Sequence, residues 1–352
     1  LVVYVVLSTL VYGQSGVVQE EQDFRFAYQL AEKGMFDIAA LQFRRFTELY
    51  PTSLKAPEAL FRAAENYEKA DSSFKAANVY LSLLLRYPQS SFIDKALFNR
   101  AGLLAKFSDH LEAGLAFERL KLIAPQSDLV PLAQIKGAEQ FIMAQEYQKA
   151  LDALYFLLED YPTHPLRLEA RYLIAKARAE QGRITLALQE LDKIATENLN
   201  DELLVNASLL RSQLYTQSGR QTKADSVLLT IIKSPVANDS VASAAIQLAL
   251  NRQKMGDYQL SNDIISRALN KRPSSELDTK LNLIQGDNYY LLGHYQDALK
   301  SYKSINYMHI PLELKIRLSF REGYVHNALG KINEAILSFP STIAFIDSTK
   351  GH

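Results

Sequence analysis

The side chains that could do chemistry are few in this chain and stand far apart. The 352 residues include six histidines and no cysteine. A metal pair on one helix needs two histidines three or four residues apart, and no two of the six have that spacing. The lack of cysteine excludes disulfides, thiolate metal ligands and a cysteine nucleophile. We therefore expect no metal and no cofactor. The six histidines are His110, His164, His294, His309, His326 and His352.

Motifs for other chemistry are missing as well. The sequence contains neither a glycine-rich phosphate loop nor a nucleophile elbow. Acidic pairs such as Glu20-Glu21 and Glu159-Asp160 have the pattern of helix-surface charge. The 39 basic residues balance 39 acidic ones, which argues against nucleic acid as the main partner. We expect no catalytic residues, so the sequence predicts a protein that is not an enzyme.

The elements that would position any site show a fixed period. An alanine returns every 37 residues, and Ser261 fills the one slot without it. A period of about 20–50 residues predicts stacked supersecondary units around a continuous core. We count repeat positions from this residue as position 0. The alanines are Ala39, Ala76, Ala113, Ala150, Ala187, Ala224, Ala298 and Ala335.

Other positions keep the same period. Position −12 is always small, as at Ala27 and Gly286, and positions −15 and +4 are always large. Position −5 is glycine in six of nine repeats. The −15 and −12 residues share one helix face, and a glycine ends that helix in the left-handed conformation. Positions 0 and +4 share a face of a second helix. Proline at +12, as at Pro51, stops it. Each repeat is predicted to be helix, turn, helix, turn.

These positions resemble the tetratricopeptide repeat (TPR) family over residues 20 to 347. One repeat reads Ala27, Gly34-Met35-Phe36, Ala39, Phe43 and Pro51 in order. The resemblance implies an all-α fold, a right-handed α-solenoid of about nine 37-residue TPR-like helix-turn-helix repeats. The TPR period is about 34 residues, so three residues lengthen either the helices or the link between repeats. The signature tryptophan is absent, because the chain has no Trp.

A recurring phrase narrows the resemblance. Tyr50-Pro51-Thr52-Ser53 and Tyr87-Pro88-Gln89-Ser90 end two repeats. The phrase resembles TPR proteins of the bacterial cell envelope, either BamD-type assembly lipoproteins or periplasmic proteins associated with the Tol–Pal system. A lipoprotein anchor needs a cysteine, so the Tol–Pal-associated type fits better. That type usually begins with a coiled coil, and no such heptads precede Asp23.

The ends of the chain suggest export. Residues 1–12 form an uncharged apolar run, shorter than the roughly 20 residues of a membrane span and typical of a signal core. We predict that residues 1–13 are a signal peptide that lacks its charged n-region and is cleaved near Gly13. A short linker over 14–22 follows, and then a solenoid over 23–352 that is incomplete at its C-terminus. Two alternatives are an uncleaved anchor and a buried first helix. Export would place the chain in the periplasm or at the outer membrane.

The TPR resemblance implies that the first helices line a concave groove for protein or peptide partners, such as envelope-assembly or Tol–Pal components. Positions −15, −11 and −8 supply its candidate residues, although position −15 also suits plain interhelix core. The resulting hypothesis is a non-catalytic interaction scaffold of the bacterial cell envelope. The alternative is a docking or sensor region of a larger enzyme or outer-membrane protein. The groove residues are Tyr28, Phe61, Glu65, Glu68, Phe98, Tyr172, Lys176, Asp287, Tyr290 and Tyr324.

Overall fold

The computed structural model describes residues 18–338, apart from residues 196, 198–199 and 234–235. Throughout these residues the regular structure is helical and contains no β-strand. Consecutive helices pack on each other from α2 (Phe36–Leu49) to α10 (Ile184–Ile194) and again from α11 (Asp201–Gln217) to α17 (Leu312–Ala328), which confirms the predicted α-solenoid of helix pairs. The chain divides into two compact units, unit 1 ending at Ile194 and unit 2 beginning at Ala195.

Unit 1 repeats with uniform helices. From α2 to α9 every helix has 14 residues, and six-residue links such as 50–55 join one pair to the next. A repeat of unit 1 therefore consists of two 14-residue helices, a three-residue turn and a six-residue link. The helices are α1 (18–32), α2 (Phe36–Leu49), α3 (Ala56–Lys69), α4 (Ser73–Arg86), α5 (Ile93–Lys106), α6 (His110–Ile123), α7 (Val130–Met143), α8 (Tyr147–Asp160), α9 (Arg167–Glu180) and α10 (Ile184–Ile194).

Unit 2 keeps the period and changes the helix lengths. Its first helices have 17 residues, and its complete second helices have 13, 12 and 9. Relative to the 14-residue helices of unit 1, each first helix is three residues longer and each complete second helix is one to five residues shorter. The helices are α11 (Asp201–Gln217), α12 (Gln221–Lys233), α13 (Asn238–Lys254), α14 (Tyr258–Leu269), α15 (Ser275–Leu291), α16 (Tyr295–Lys303), a 3₁₀ turn (Tyr307–His309), α17 (Leu312–Ala328) and α18 (332–338).

The turn inside each helix pair is left-handed at position −5. All six glycines there have φ between 72° and 78°, as predicted from the sequence. The other three slots hold Asp71, Ser108 and Gln145, whose φ angles are 54°, 60° and 61°. All three lie in unit 1, and an L-residue is strained in this region because its Cβ approaches the backbone. The turn geometry is thus kept even where glycine is missing.

The predicted core positions are buried. The residue at position 0 is at most 4% exposed in every repeat, and every described residue at +4, from Phe43 to Tyr302, is at most 3% exposed. The small residues at −12 are buried in both units. A small residue on the first helix therefore faces a large one on the second, which gives the close packing that helix pairs require.

The links of unit 1 have a repeated hydrogen-bond pattern. The side chains of Ser53, Ser90, Ser127 and His164 each accept a bond from the backbone N–H two residues later. The Ser127 hydroxyl also donates to Asp94 Oδ2 of the preceding first helix at 2.7 Å. The Tyr50 hydroxyl donates in the same way to Asp23 Oδ2 at 2.8 Å. The Ser127 and Tyr50 hydroxyls therefore hold the link against the first helix of the repeat that precedes it.

The N-terminal boundary differs from the sequence prediction. Residues 18–22, predicted as part of a linker, are the first residues of α1. Their side chains contact the link that follows α2, since Glu20 accepts from Ser53 and Glu21 pairs with Lys55. The predicted signal peptide, residues 14–17 and residues 339–352 lie outside the described residues. None of the described helices is both long enough and apolar enough to cross a bilayer.

Candidate functional site

Three of the predicted groove residues come together in unit 2. Asp287 and Tyr290 of α15 and Tyr324 of α17 line one pocket of about 510 Å³. We call it the α15–α17 pocket. Its wall is mainly apolar and aromatic, and it is open on one side, which is the character of a surface that receives a side chain of a partner. The remaining lining residues are Gln253, Leu291, Tyr302 and Arg321.

An ion pair forms the polar end of this pocket. Arg321 Nε and Nη2 donate to the two oxygens of Asp287 at 2.5 and 2.7 Å. The hydroxyl of buried Tyr302 donates to the same carboxylate at 2.6 Å. Burial, reinforced by Asp287, raises the pKa of Tyr302. The pair is bidentate and internally neutral, so the pocket offers no free charge to a ligand.

Aromatic side chains form the exposed rim. Tyr290 is 36% exposed and Tyr324 is 52% exposed. Their rings lie 5.6 Å from Tyr295 and 5.7 Å from Phe320 respectively. Tyrosine combines a large contact area with a polar tip and is enriched at protein interfaces. The rim therefore suits contact with another protein.

The pocket is connected to the core through Gln253. Its Nε2 donates to Asn288 Oδ1 at 2.9 Å. The fully buried Asn288 donates in turn to Ser261 Oγ at 2.7 Å and to Asn262 Oδ1 at 3.0 Å. These bonds hold α13, α14 and α15 in register, so the pocket wall is rigidly placed.

The predicted residues of unit 1 are more strongly engaged in the fold. The Tyr28 hydroxyl donates to Glu58 Oε1 at 2.7 Å and accepts from Arg62 Nε at 2.8 Å. Burial, followed by the Glu58 bond, raises the pKa of Tyr28 to about 12. Arg62 also pairs with Glu65 at 2.8 Å. This polar cluster joins two repeats and leaves little of Tyr28 for a ligand.

Position −15 is core at Phe61, which is 4% exposed and stacks on Phe92 with ring centroids 5.1 Å apart. Phe98 is half-buried, with its ring edge-on to Phe117 at 5.2 Å. At the C-terminal end the position opens, because Phe320 is 41% exposed. The interhelix-core alternative thus describes Phe61 well and Phe320 poorly.

The remaining predicted residues differ among themselves. Glu68 accepts a 2.6 Å bond from Tyr80. Tyr172 is half-buried, which raises its pKa, and Lys176 is exposed. The structure does not gather these with Tyr28 into one pocket.

Sequence reasoning missed Arg321, although a signal for it exists. Arg321 stands at position −14 and binds position −11 of the preceding repeat, 34 residues earlier. Arg62 and Tyr28 repeat this relation at the same separation. A search for cationic residues at position −14 that follow a hydrogen-bond acceptor at position −11 by 34 residues would have identified both pairs.

Among the described residues, no group of three His, Asp or Glu side chains is placed so that it could hold a metal ion. His326 is buried on α17, and its Nδ1 has no hydrogen-bond partner among those residues. Burial, reinforced by Lys303, lowers its pKa. A lone buried histidine of this kind belongs to the packing of the repeat.

Comparison with known proteins supports the fold. The family profile of the tetratricopeptide repeat matches residues 58–90. No curated protein sequence matches the chain. The apo form of the quorum sensor NprR from B. thuringiensis is similar over 93% of this chain and 98% of its own, with 13% identity and a TM-score of 0.52.

Two further solved structures align with TM-scores of 0.48. A tetratricopeptide repeat protein from Parabacteroides merdae ATCC 43184 covers 90% of this chain and 98% of its own at 14% identity. BtubC (BKLC) from P. vanneervenii covers 64% of this chain and 94% of its own at 15% identity. At such identities a likeness concerns the fold alone. The profile match and the NprR fold together support a TPR-like array of helix pairs, a fold suited to protein–protein interaction.

Proposed function

We propose that this chain is a non-catalytic interaction scaffold of the bacterial cell envelope, exported by a signal peptide cleaved near Gly13. Its partners are protein segments, with envelope-assembly or Tol–Pal components as the first candidates. The balance of 39 basic and 39 acidic residues argues against nucleic acid as the main partner. The TPR-like array supports the interaction role. The apolar run at residues 1–12 and the Tyr-Pro phrase support the envelope.

The α15–α17 pocket carries the proposal. Its two exposed tyrosines and Leu291, which is 53% exposed, surround a neutral ion pair. Such a pocket takes an apolar side chain of a partner segment, because the paired charges need no counter-ion and the rings gain by being covered. Affinity at protein interfaces commonly depends on a few aromatic anchors of this type.

The test is crosslinking and capture of the tagged full-length protein from its own cells, beside the double variant Tyr290→Ala/Tyr324→Ala. Tyr155→Ala is the matched control, because Tyr155 is also 36% exposed but lies on α8 of unit 1. We expect envelope proteins to be captured by the wild type and the control, and to be lost from the double variant. Mass spectrometry of the mature N-terminus tests the cleavage near Gly13.

Three results would contradict parts of the proposal. Capture that persists in the double variant would contradict the role of the pocket in binding but not the scaffold role. Capture of cytoplasmic proteins alone would overturn the envelope role. A full-length protein that itself carries a downstream catalytic or barrel domain would favour the alternative, a docking or sensor region of a larger protein.

A further inference from the structure

A second surface of unit 1 has a different chemistry from the α15–α17 pocket. The second helices α2 and α4 border a groove of about 300 Å³. Its floor contains Leu60 and Val79, which are 2% and 5% exposed. Three cationic side chains, Arg44, Lys75 and Arg86, line it. We call it the α2–α4 groove.

The three cations lack acidic partners. In the part of the chain that the structure describes, none of them forms an ion pair. Arg86 donates to the Thr47 carbonyl at 3.1 Å and lies over the Tyr87 ring, and Lys75 Nζ lies 5.4 Å from the Tyr67 ring centre. Some other cations of unit 1 are paired within their own helix, for example Lys121 with Glu118 at 3.0 Å. What distinguishes this groove is that these three cations line one concave surface together with the apolar side chains of Leu60 and Val79.

The local charge is unbalanced although the whole chain is neutral. Glu48 is the only acidic residue among those that line the groove, against three cations. Unpaired cations around a concave surface raise the local concentration of anions. All three side chains are exposed, so each is available to a ligand that arrives from solvent.

We propose that the α2–α4 groove binds an acidic segment of a partner protein, with carboxylates against Arg44, Lys75 and Arg86 and an apolar side chain over Leu60 and Val79. Glu48 favours a peptide over a phosphate group. A compact phosphate would place a double charge close to this carboxylate, whereas a peptide can present a backbone N–H to it. The proposal goes beyond the scaffold role, since it assigns a second surface and the charge of its partner.

The expected binding is modest and sensitive to salt. Exposed ion pairs contribute little each, and ions screen them. The apolar floor adds a contribution that salt does not screen. Binding of an acidic apolar peptide should therefore weaken, without vanishing, as the ionic strength rises.

The experiment measures fluorescence anisotropy with a short labelled peptide of alternating Glu and Leu and the full-length protein. The test variant is Arg44→Gln/Lys75→Gln, which leaves Arg86 and its bond to Thr47 in place. The control variant is Arg45→Gln, an exposed arginine next in sequence that lines a different pocket with Phe26 and Leu49. We expect the test variant to bind about tenfold more weakly, because two exposed pairs are lost. The control should stay within about twofold of the wild type, since it retains both pairs.

Four outcomes would overturn the proposal. These are no saturable binding of the Glu-Leu peptide at low salt, equal binding of a Gln-Leu peptide, equal loss in the Arg45 variant, and equal affinity of the test variant and the wild type. Pyrophosphate and vesicles of anionic phospholipid are tested in parallel. If either binds through Arg44 and Lys75 more tightly than the peptide, the groove is a phosphate site and the partner is wrongly assigned. Circular dichroism checks that both variants fold.

Discussion

Unit 1 and unit 2 repeat the same 37-residue period around cores of different polarity. Among the described residues, unit 1 buries four polar or charged side chains and unit 2 buries twelve. The difference shows best at position −10, where both units bury an asparagine. Asn66 in unit 1 is 4% exposed and Asn288 in unit 2 is fully buried.

The two asparagines occupy the same repeat position but make different hydrogen bonds. Asn288 bonds to Gln253, Ser261 and Asn262 on two neighbouring helices. Asn66 Nδ2 donates only to the Arg62 carbonyl of its own helix, and its Oδ1 has no partner among the described atoms. A satisfied buried network fixes register, whereas an unsatisfied polar atom only costs free energy. The period thus sets the geometry of a repeat, while its residues decide how the repeats are held together.

The largest expected difference is between Asn288→Leu in unit 2 and Asn66→Leu in unit 1. Leucine occupies position −10 at Leu103 and Leu214, each 1% exposed, so the side chain fits. Asn288→Leu should lower the free energy of unfolding by about 2–3 kcal/mol, because buried Ser261 and Asn262 lose a partner. Asn66→Leu should lower the free energy of unfolding by less than about 0.5 kcal/mol, or should raise it, since an unsatisfied polar atom is removed.

Urea denaturation of the full chain measures both effects, with hydrogen exchange of the α15 amides assigning the loss to unit 2. Equal losses in the two variants would show that position −10 has one role in both units.

A glycine pair gives the next largest contrast. A Cβ added at Gly286 of α15 would lie 2.2 Å from Tyr302 Cε1, whereas one added at Gly102 of α5 meets nothing within 4 Å. Gly286→Ala should cost about 2 kcal/mol, because the buried ring cannot move aside freely. Gly102→Ala should stabilise by about 0.5–1 kcal/mol through the better helix propensity of alanine. Thermal unfolding of the two variants beside the wild type is the measurement, and a stabilising Gly286→Ala would contradict the close contact.

Substitutions at the left-handed turns should have smaller effects on stability. Introducing glycine in unit 1 should stabilise the fold, and removing glycine in unit 2 should destabilise it. Asp71→Gly, Ser108→Gly and Gln145→Gly in unit 1 should each stabilise by about 0.5 kcal/mol, since glycine adopts positive φ without strain. In unit 2 the corresponding residues are already glycine, and Gly219→Ala, at φ 72°, should cost about 1 kcal/mol. Urea midpoints of the single variants test this. A destabilising Ser108→Gly would show that the side chain contributes more than the turn strain removes.

The pH dependence gives the smallest effect and concerns unit 2. The pKa of His326 is lowered by burial and by Lys303, with Lys331 acting the same way and Glu334 opposing. Above the unfolded pKa of about 6.5, the histidine is neutral in both states and its contribution is complete. As the pH falls below that value the unfolded chain takes up the proton first, so stability decreases by at most about 1.4 kcal/mol per pH unit. His326→Gln should flatten the dependence of the urea midpoint on pH between pH 7 and 5, and an unchanged dependence in this variant would contradict the assignment to His326.

Sequence alone predicted the helix pairs because their contacts repeat. Small −12 residues face large +4 residues, and glycine at −5 marks the turn, so each recurs with the period and is visible in one chain. The division of each repeat into helices and link was not visible, since 14-residue helices with a six-residue link and a 17-residue first helix with a shorter second helix fit the same 37-residue spacing. Of the ten groove residues, Asp287, Tyr290 and Tyr324 share a pocket. The sequence could not separate buried from exposed residues among the others. The same position −15 is buried at Phe61 and exposed at Phe320, because its exposure depends on the neighbouring repeats.

The buried network around Asn288 has a consequence for the response of the chain to temperature. Apolar surface exposed on unfolding raises the heat capacity change, and polar surface lowers it. Unit 2 should therefore unfold with a smaller heat capacity change per residue than unit 1, so its stability curve is flatter. Because cooling weakens the burial of apolar surface, unit 1 should lose proportionately more of its stability in the cold.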